Sequence, residues 1–230
     1  MTEIEFLIYL KKLALNEDIS EGFVGLEHIN EIFFSFEGEG KYICFSIEEW
    51  IEMLHKKGMK QLRLIIPVED NTDYNKAGFA NGIRKGLFCE YDGFNTLWQS
   101  FWSFDNELKK WNIKIVETKV DWSSERYEYA SNYESFLKVL IEIESLANKI
   151  DCEMFANCFR KAIDILQDKS IDVGERLRQA ARNANVFGGM GSWNDSPPYL
   201  AHTKGLGEEY DKLTAELYRQ IQFAVVSTNE

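Results

Sequence analysis

Proline is almost missing from this chain of 230 residues, which has three, two of them adjacent as Pro197-Pro198. Helices and strands elsewhere are therefore free of the residue that most often interrupts them. Long apolar runs are missing too: none approaches the roughly 18 residues that a membrane span needs. The first residues, with Thr2, Glu3 and Glu5, lack the basic and then apolar order of a secretory leader. The expected location is cytoplasmic. Cysteine and histidine are sparse, four and three residues. Cys44, Cys89, Cys152 and Cys158 lack the paired close spacing of a zinc site, and His28, His55 and His202 lie far apart, so neither a metal nor another cofactor is expected. Free, buried thiols fit a reducing compartment. Positive charge is also short, with 26 Lys and Arg against 38 Asp and Glu, a net charge of −12. That balance is repelled by a phosphate backbone, which argues against nucleic acid, and attracts a basic protein.

The excess is uneven. Residues 1–60 carry 12 acids and 6 bases, half of the whole imbalance, while residues 61–120 carry 8 of each. The candidate contacts for a basic partner are therefore Glu21, Glu27, Glu31, Glu37, Glu39, Glu48, Glu49 and Glu52.

What is present divides into two patterns. Thr2 with Glu5 forms a capping box before an apolar helix over residues 2–15. Two aromatic and β-branched segments, Glu31–Glu37 and Lys41–Ser46, flank Gly38-Glu39-Gly40 and predict a hairpin. A helix follows, with Ser46 and Glu49 as capping box, Ile47, Trp50, Ile51 and Leu54 on one stripe, and Gly58 at its end. A strand over residues 61–68 completes a βαβ length, which predicts parallel strands and places Glu69, Asp70, Asn71 and Asp73 beyond a strand end. Their spacing lacks the glycine and final glutamate of a calcium loop, and a solvated turn is the expected role. Residues 74–94 carry too many glycines for a helix. The apolar set Leu97, Trp98, Phe101, Trp102, Phe104 and Leu108 predicts a helix over residues 95–111, ended by Asn112, and residues 113–120 a last, half-exposed strand.

After residue 122 the periodicity is helical only. Ser131 with Glu134 and Asp172 with Glu175 form further capping boxes, a second helix follows Asp151, and Glu208, Glu209 and Asp211 open a last helix. The expected fold class is α+β: a small mixed N-terminal sheet with a βαβ unit and flanking helices over residues 1–122, and a C-terminal four-helix bundle over residues 123–230.

One stretch departs from these periodicities, Val186–Pro198. It holds Phe187, Gly188, Gly189, Gly191, Ser192, Trp193, Asn194 and Asp195. A phosphate cradle would need a preceding strand and a following lysine, and both are missing. A hydrolase would use Ser192, Asp195 and His202, yet the Gly-x-Ser-x-Gly elbow is absent because Asn194 follows Trp193. The expected role is a structural lock between two helices, with Trp193 as plug and Asn194 or Asp195 bonded to the turn backbone. Arg176, Arg178 and Arg182 just before it are expected in salt bridges.

The segment from about Leu146 to Gln222, above all the string Phe187–Asp195, resembles an uncharacterised bacterial domain family that shares FGGMGSWND. The resemblance covers about a third of the chain and implies no activity. Small acidic proteins of this type are similar, as a class, to the immunity proteins of bacterial toxin systems. The expected function is thus a non-enzymatic binding protein that neutralises a basic toxin. The alternative is an enzyme or small-ligand sensor with a pocket near Trp193, Asp195 and His202.

Overall fold

The computed structural model describes residues 3–19, 23–36, 42–188 and 190–228. The fold is mixed α+β and falls into two units: Met1–Ile66 with Arg84–Tyr127, and Pro67–Ile83 with Glu128–Glu230. The sequence expectation of one cut after residue 122 contains no such excursion; the chain leaves the first unit at Pro67 and re-enters it at Arg84.

The first unit holds a six-stranded sheet, β1 (Ile29–Phe36), β2 (Tyr42–Cys44), β3 (Gln61–Ile65), β4 (Gly86–Tyr91), β5 (Phe94–Asp105) and β6 (Lys110–Val120), in the order β2-β1-β6-β5-β4-β3. Helices α1 (Glu3–Ala14) and α2 (Ile47–Lys56) cover one face. On that face the alternation of each strand delivers Phe34, Phe36, Trp98, Ile113 and Ile115, all buried. Trp50 of α2 stacks on Phe34 at 4.8 Å and meets Trp98 edge-on at 5.7 Å. On the same face Lys57, just past α2 and partly exposed, donates at 2.8 Å to the buried Glu117 of β6. On the opposite face Trp122 stacks on Phe88 at 5.1 Å.

Two expectations change here. Residues 95–111 form no helix; they are β5, its turn and the start of β6, paired from Asn95↔Val120 to Asp105↔Lys110. Apolar residues on both faces of a strand imitate helical spacing, whereas burial of Thr96, Trp98 and Ser100 follows a period of two. The turn is set by Asp105, whose carboxylate accepts from the amides of Glu107 and Leu108, with Lys109 at φ 54. Asn112 ends no helix and lies within β6, accepting from Asn30 Nδ2 at 3.0 Å. The βαβ expectation changes as well. β2 and β3 occupy opposite edges and do not pair; the parallel pair is β1 with β6. Local pattern selects each element, but the long β5–β6 hairpin takes the middle of the sheet and pushes β2 and β3 to its margins. The hairpin of β1 and β2 pairs as expected, Phe34↔Cys44 to Phe36↔Tyr42, while its Gly38–Gly40 turn and the Thr2 cap lie outside the described residues.

The second unit holds α3 (Tyr133–Lys149), α4 (Glu153–Gln167), α5 (Val173–Ala184), α6 (Pro197–Thr203) and α7 (Gly207–Ser227). α3 lies against α4 and α7, and α5 lies against the same two. Ala180, Ala181 and Ala184 of α5 are buried and let its neighbours approach closely. Asp172 caps α5 as expected, accepting from the amides of Gly174 at 2.8 Å and Glu175 at 3.4 Å. The Ser131 cap is not formed. α3 starts after Asn132, whose Nδ2 donates to the carbonyl and Oε1 of Gln220 in α7, a tertiary bond that outweighs the local motif. α6 was not expected; Pro197 and Pro198 occupy its first turn, where a missing N–H leaves no unsatisfied partner.

Candidate protein-binding site

The loop between α5 and α6 is held by hydrogen bonds within its own turn and to α7. The Trp193 ring is fully buried, stacked on Tyr210 at 5.2 Å and edge-on to Phe155 and Phe159 at 5.3 Å each. Its Nε1 donates to Thr214 Oγ1 at 2.9 Å, its carbonyl accepts from Tyr210 Oη at 2.7 Å, and its amide donates to the Val186 carbonyl at 2.9 Å. Asn194 Oδ1 accepts from Ser192 Oγ at 2.8 Å and from the Gly188 amide at 3.4 Å, and Asp195 Oδ2 accepts from the Gly191 amide at 2.9 Å. Gly191 has φ 78, a left-handed conformation that suits glycine. Gly189 lies outside the described residues.

This loop also receives the Pro67–Ile83 excursion. A Cβ on Gly78 would sit 2.1 Å from the Gly188 Cα, so the two backbones touch, and Phe187 packs between Tyr218 at 5.2 Å and Tyr74 at 6.3 Å. Glu69 pairs with Arg219 at 2.9 Å, and Asp73 caps the Asn75 amide at 3.1 Å. These acids, which sequence placed beyond a strand end, are thus in structural use. His202 is exposed on α6. Arg178 pairs with Glu175, and Arg176 donates to the Leu166 carbonyl at 2.8 Å.

The acidic residues of the first quarter have a different setting. Glu21, Glu37 and Glu39 lie outside the described residues, while Glu27, Glu31, Glu48, Glu49 and Glu52 are exposed. Glu31 of β1 and Glu48 of α2 both line a cleft of about 380 Å³ whose walls include Leu26, Ile29, Phe33 and Phe45. Among the described residues no Lys or Arg lines it. Glu27 follows Leu26 in sequence and lies 3.4 Å from His28 Nε2, and Glu52 stands one turn beyond Glu48. Glu49 instead completes the α2 cap: Ser46 Oγ accepts its amide at 3.1 Å, and its own carboxylate accepts the Phe45 amide at 2.9 Å.

The apolar members of the cleft escaped the sequence reading. Phe45 precedes the cap residue and stands five before Trp50, the spacing of a hydrophobic staple. No staple forms, because Trp50 is committed to Phe34, and Phe45 is left 75% exposed. Leu26 is 40% exposed and Ile43 43%. A larger cleft, about 550 Å³, runs along α3 and α7 in the helical unit, where Lys138, Lys212 and Arg219 alternate with Glu142 and Glu216. Lys138 with Glu142 and Arg219 with Glu216 already pair along their own helices.

Among the described residues no group of three or more His, Cys, Asp or Glu side chains is placed to hold a metal ion. The four cysteines are free thiols. Burial raises Cys89 to about 12 and Cys44 to about 11, with smaller contributions from neighbouring charges, so both are protonated and weakly nucleophilic at neutral pH. No described helix is long and apolar enough to cross a membrane. No protein-family model, curated protein or solved structure matches the chain. The reading of the site therefore rests on its composition: Glu31 and Glu48 line one cleft with exposed Phe45 and Leu26, a set suited to a cationic side chain with an aliphatic stem.

Proposed function

We propose that the protein is a cytoplasmic, non-enzymatic binding module of the immunity type, which neutralises a basic partner through the Glu31–Glu48 cleft and the surface around it. The observation that carries this reading is the coincidence, in the lining of one cleft, of two glutamates and a phenylalanine left largely exposed, with no cation among the described residues. Exposed acid alone serves solubility; acid rimming exposed apolar surface is the composition of a docking site. An acidic face opposite a basic one accelerates association and competes with any anionic substrate of the partner. In this reading the helical unit is a four-helix bundle of α3, α4, α5 and α7. Its Phe187–Asp195 loop, the string shared with the bacterial domain family, serves the scaffold and does not contact the partner.

The test is affinity capture from the source organism with the wild-type chain and with the double variant Glu31→Lys/Glu48→Lys, followed by protein identification. A basic protein retained by the wild type and lost by the variant supports the reading. Equal retention by both, or retention of acidic proteins only, refutes it.

A further inference from the structure

The two edges of the sheet are built differently. β3 carries Arg63, is preceded by Lys60 and followed by Pro67, and packs against the Ser124–Tyr127 turn. Charges, a nearby proline and a covering segment are the devices by which sheet edges avoid pairing with other chains. β2 has less of this protection: Lys41 precedes it as Lys60 precedes β3, but none of its own three residues is charged, no proline is near, and among the described residues no segment covers its outer side. Its sequence, Tyr42-Ile43-Cys44, runs into Phe45 without a charge or a proline. It pairs with β1 on one side, and among the described residues no backbone hydrogen bond engages the other. Ile43 and Phe45 are both substantially exposed beside this edge. An open, apolar edge invites aggregation unless it has a use, and three residues are enough to accept one short strand while limiting indefinite stacking.

We infer that the free edge of β2 takes up an extended segment of the basic partner as an added strand. This rests on the binding function proposed above and names its mode. Backbone bonds to β2 supply affinity without regard to sequence, and side chains alternating above and below supply selectivity. On one face, residues of the added strand flank Ile43. On the other, where Cys44 is buried and α2 packs on β1 and β2, they approach the helix that bears Glu48 and Glu52. A strand that alternates lysine or arginine with apolar residues satisfies both faces. It also continues toward the Phe45 end of β2, where the Glu31–Glu48 cleft begins.

The probe is a blocked nonapeptide alternating lysine and valine, compared with the same peptide N-methylated at every second residue along one edge and with a glutamate–valine counterpart. Affinity is measured by fluorescence anisotropy and amide exchange by NMR on the full chain. The expected result is binding of the lysine peptide, slowed exchange of amides at Ile43–Phe45, and a loss of about tenfold on N-methylation, the effect of one or two missing hydrogen bonds. Ile43→Pro should reproduce that loss; the methylated peptide gives the same information on the unaltered protein if this variant does not fold. Equal binding of both lysine peptides, with exchange unchanged, overturns strand addition and leaves the acidic cleft standing. Equal binding of lysine and glutamate peptides overturns both. A concentration-dependent dimer of the chain alone that Ile43→Pro abolishes also overturns the proposal, assigning the edge to a second copy.

Discussion

Replacing Trp193 with alanine should destabilise the helical unit by about 3–5 kcal/mol, the range for removing a large aromatic side chain from a close-packed core. The geometry explains why the upper part of that range applies. The ring is fully buried, and a side chain of this size removes roughly 200 Å² from water, about 5 kcal/mol at 25 cal/mol per Å². Three aromatic neighbours, Phe155, Phe159 and Tyr210, come from two helices and leave little room for collapse around a void. The backbone bonds of residue 193 to Val186 and Tyr210 survive the substitution, which keeps the cost from rising further.

Trp193→Phe isolates the indole N–H. It should cost about 1–2 kcal/mol, and with Thr214→Val in a double-mutant cycle the coupling should be close to 1 kcal/mol, since Thr214 Oγ1 accepts that N–H. Urea unfolding followed by circular dichroism at 222 nm reads the helices directly. A loss under about 1 kcal/mol for Trp193→Ala, or full additivity in the cycle, would refute the reasoning. Unchanged stability with lost partner binding would show that the loop is a recognition element.

Other expected outcomes follow from the same geometry. Gly78→Ala places a methyl group 2.1 Å from the Gly188 Cα and should cost about 1–3 kcal/mol, with faster amide exchange across residues 67–83 as the measurement. Lys57→Met leaves Glu117 buried without its cation and should cost about 2–3 kcal/mol in denaturant unfolding, below the full penalty for a buried pair because Lys57 is partly exposed. Asp172→Ala removes the cap of α5 and should cost about 1 kcal/mol in thermal unfolding. Cys44 and Cys89 have raised pKa values in the folded chain, so their contribution is fully present below the ordinary thiol value of 9.0 and is lost as pH rises through about 11 and 12. Unfolding midpoints should accordingly fall above pH 9, and less steeply in Cys89→Ala.

Where one element carries its own signals, the chain declares its fold openly. Ser46 and Glu49, the Ile47–Leu54 stripe and Asp172 each specify a helix start or face from within a few residues, and each is found in place. The β5–β6 region is harder because aromatic side chains occupy both faces of β5, so that period two is masked by a spurious helical stripe. A corrective signal was available: Asp92-Gly93 between Tyr91 and Phe94 is a two-residue hairpin turn, with Gly93 at φ 78, and it implies a strand on each side. The docking of residues 67–83 leaves no periodic trace, since it depends on two glycines, 78 and 188, lying against each other from distant parts of the chain. The candidate site is legible in its charges and hidden in its apolar part. Glu31 and Glu48 are plain as surface acids, but which aromatic stays outside is decided by competition among Phe34, Phe45 and Trp98 for Trp50, and no local pattern reveals the loser.

That competition also separates the two unusual features of the chain. The glycine-rich loop looks functional by composition, yet its polar atoms bond inward to its own turn or to α7, and its one large ring is closed off by Tyr210, Phe155 and Phe159. A site that binds something else must keep binding capacity unspent in the free protein. The loop keeps little, whereas among the described residues β2 keeps one side of its backbone unpaired and Phe45 keeps its ring exposed. Compositional oddity here marks a position under heavy packing constraint, and the proposed binding function draws instead on ordinary-looking residues, Glu31, Ile43, Phe45 and Glu48.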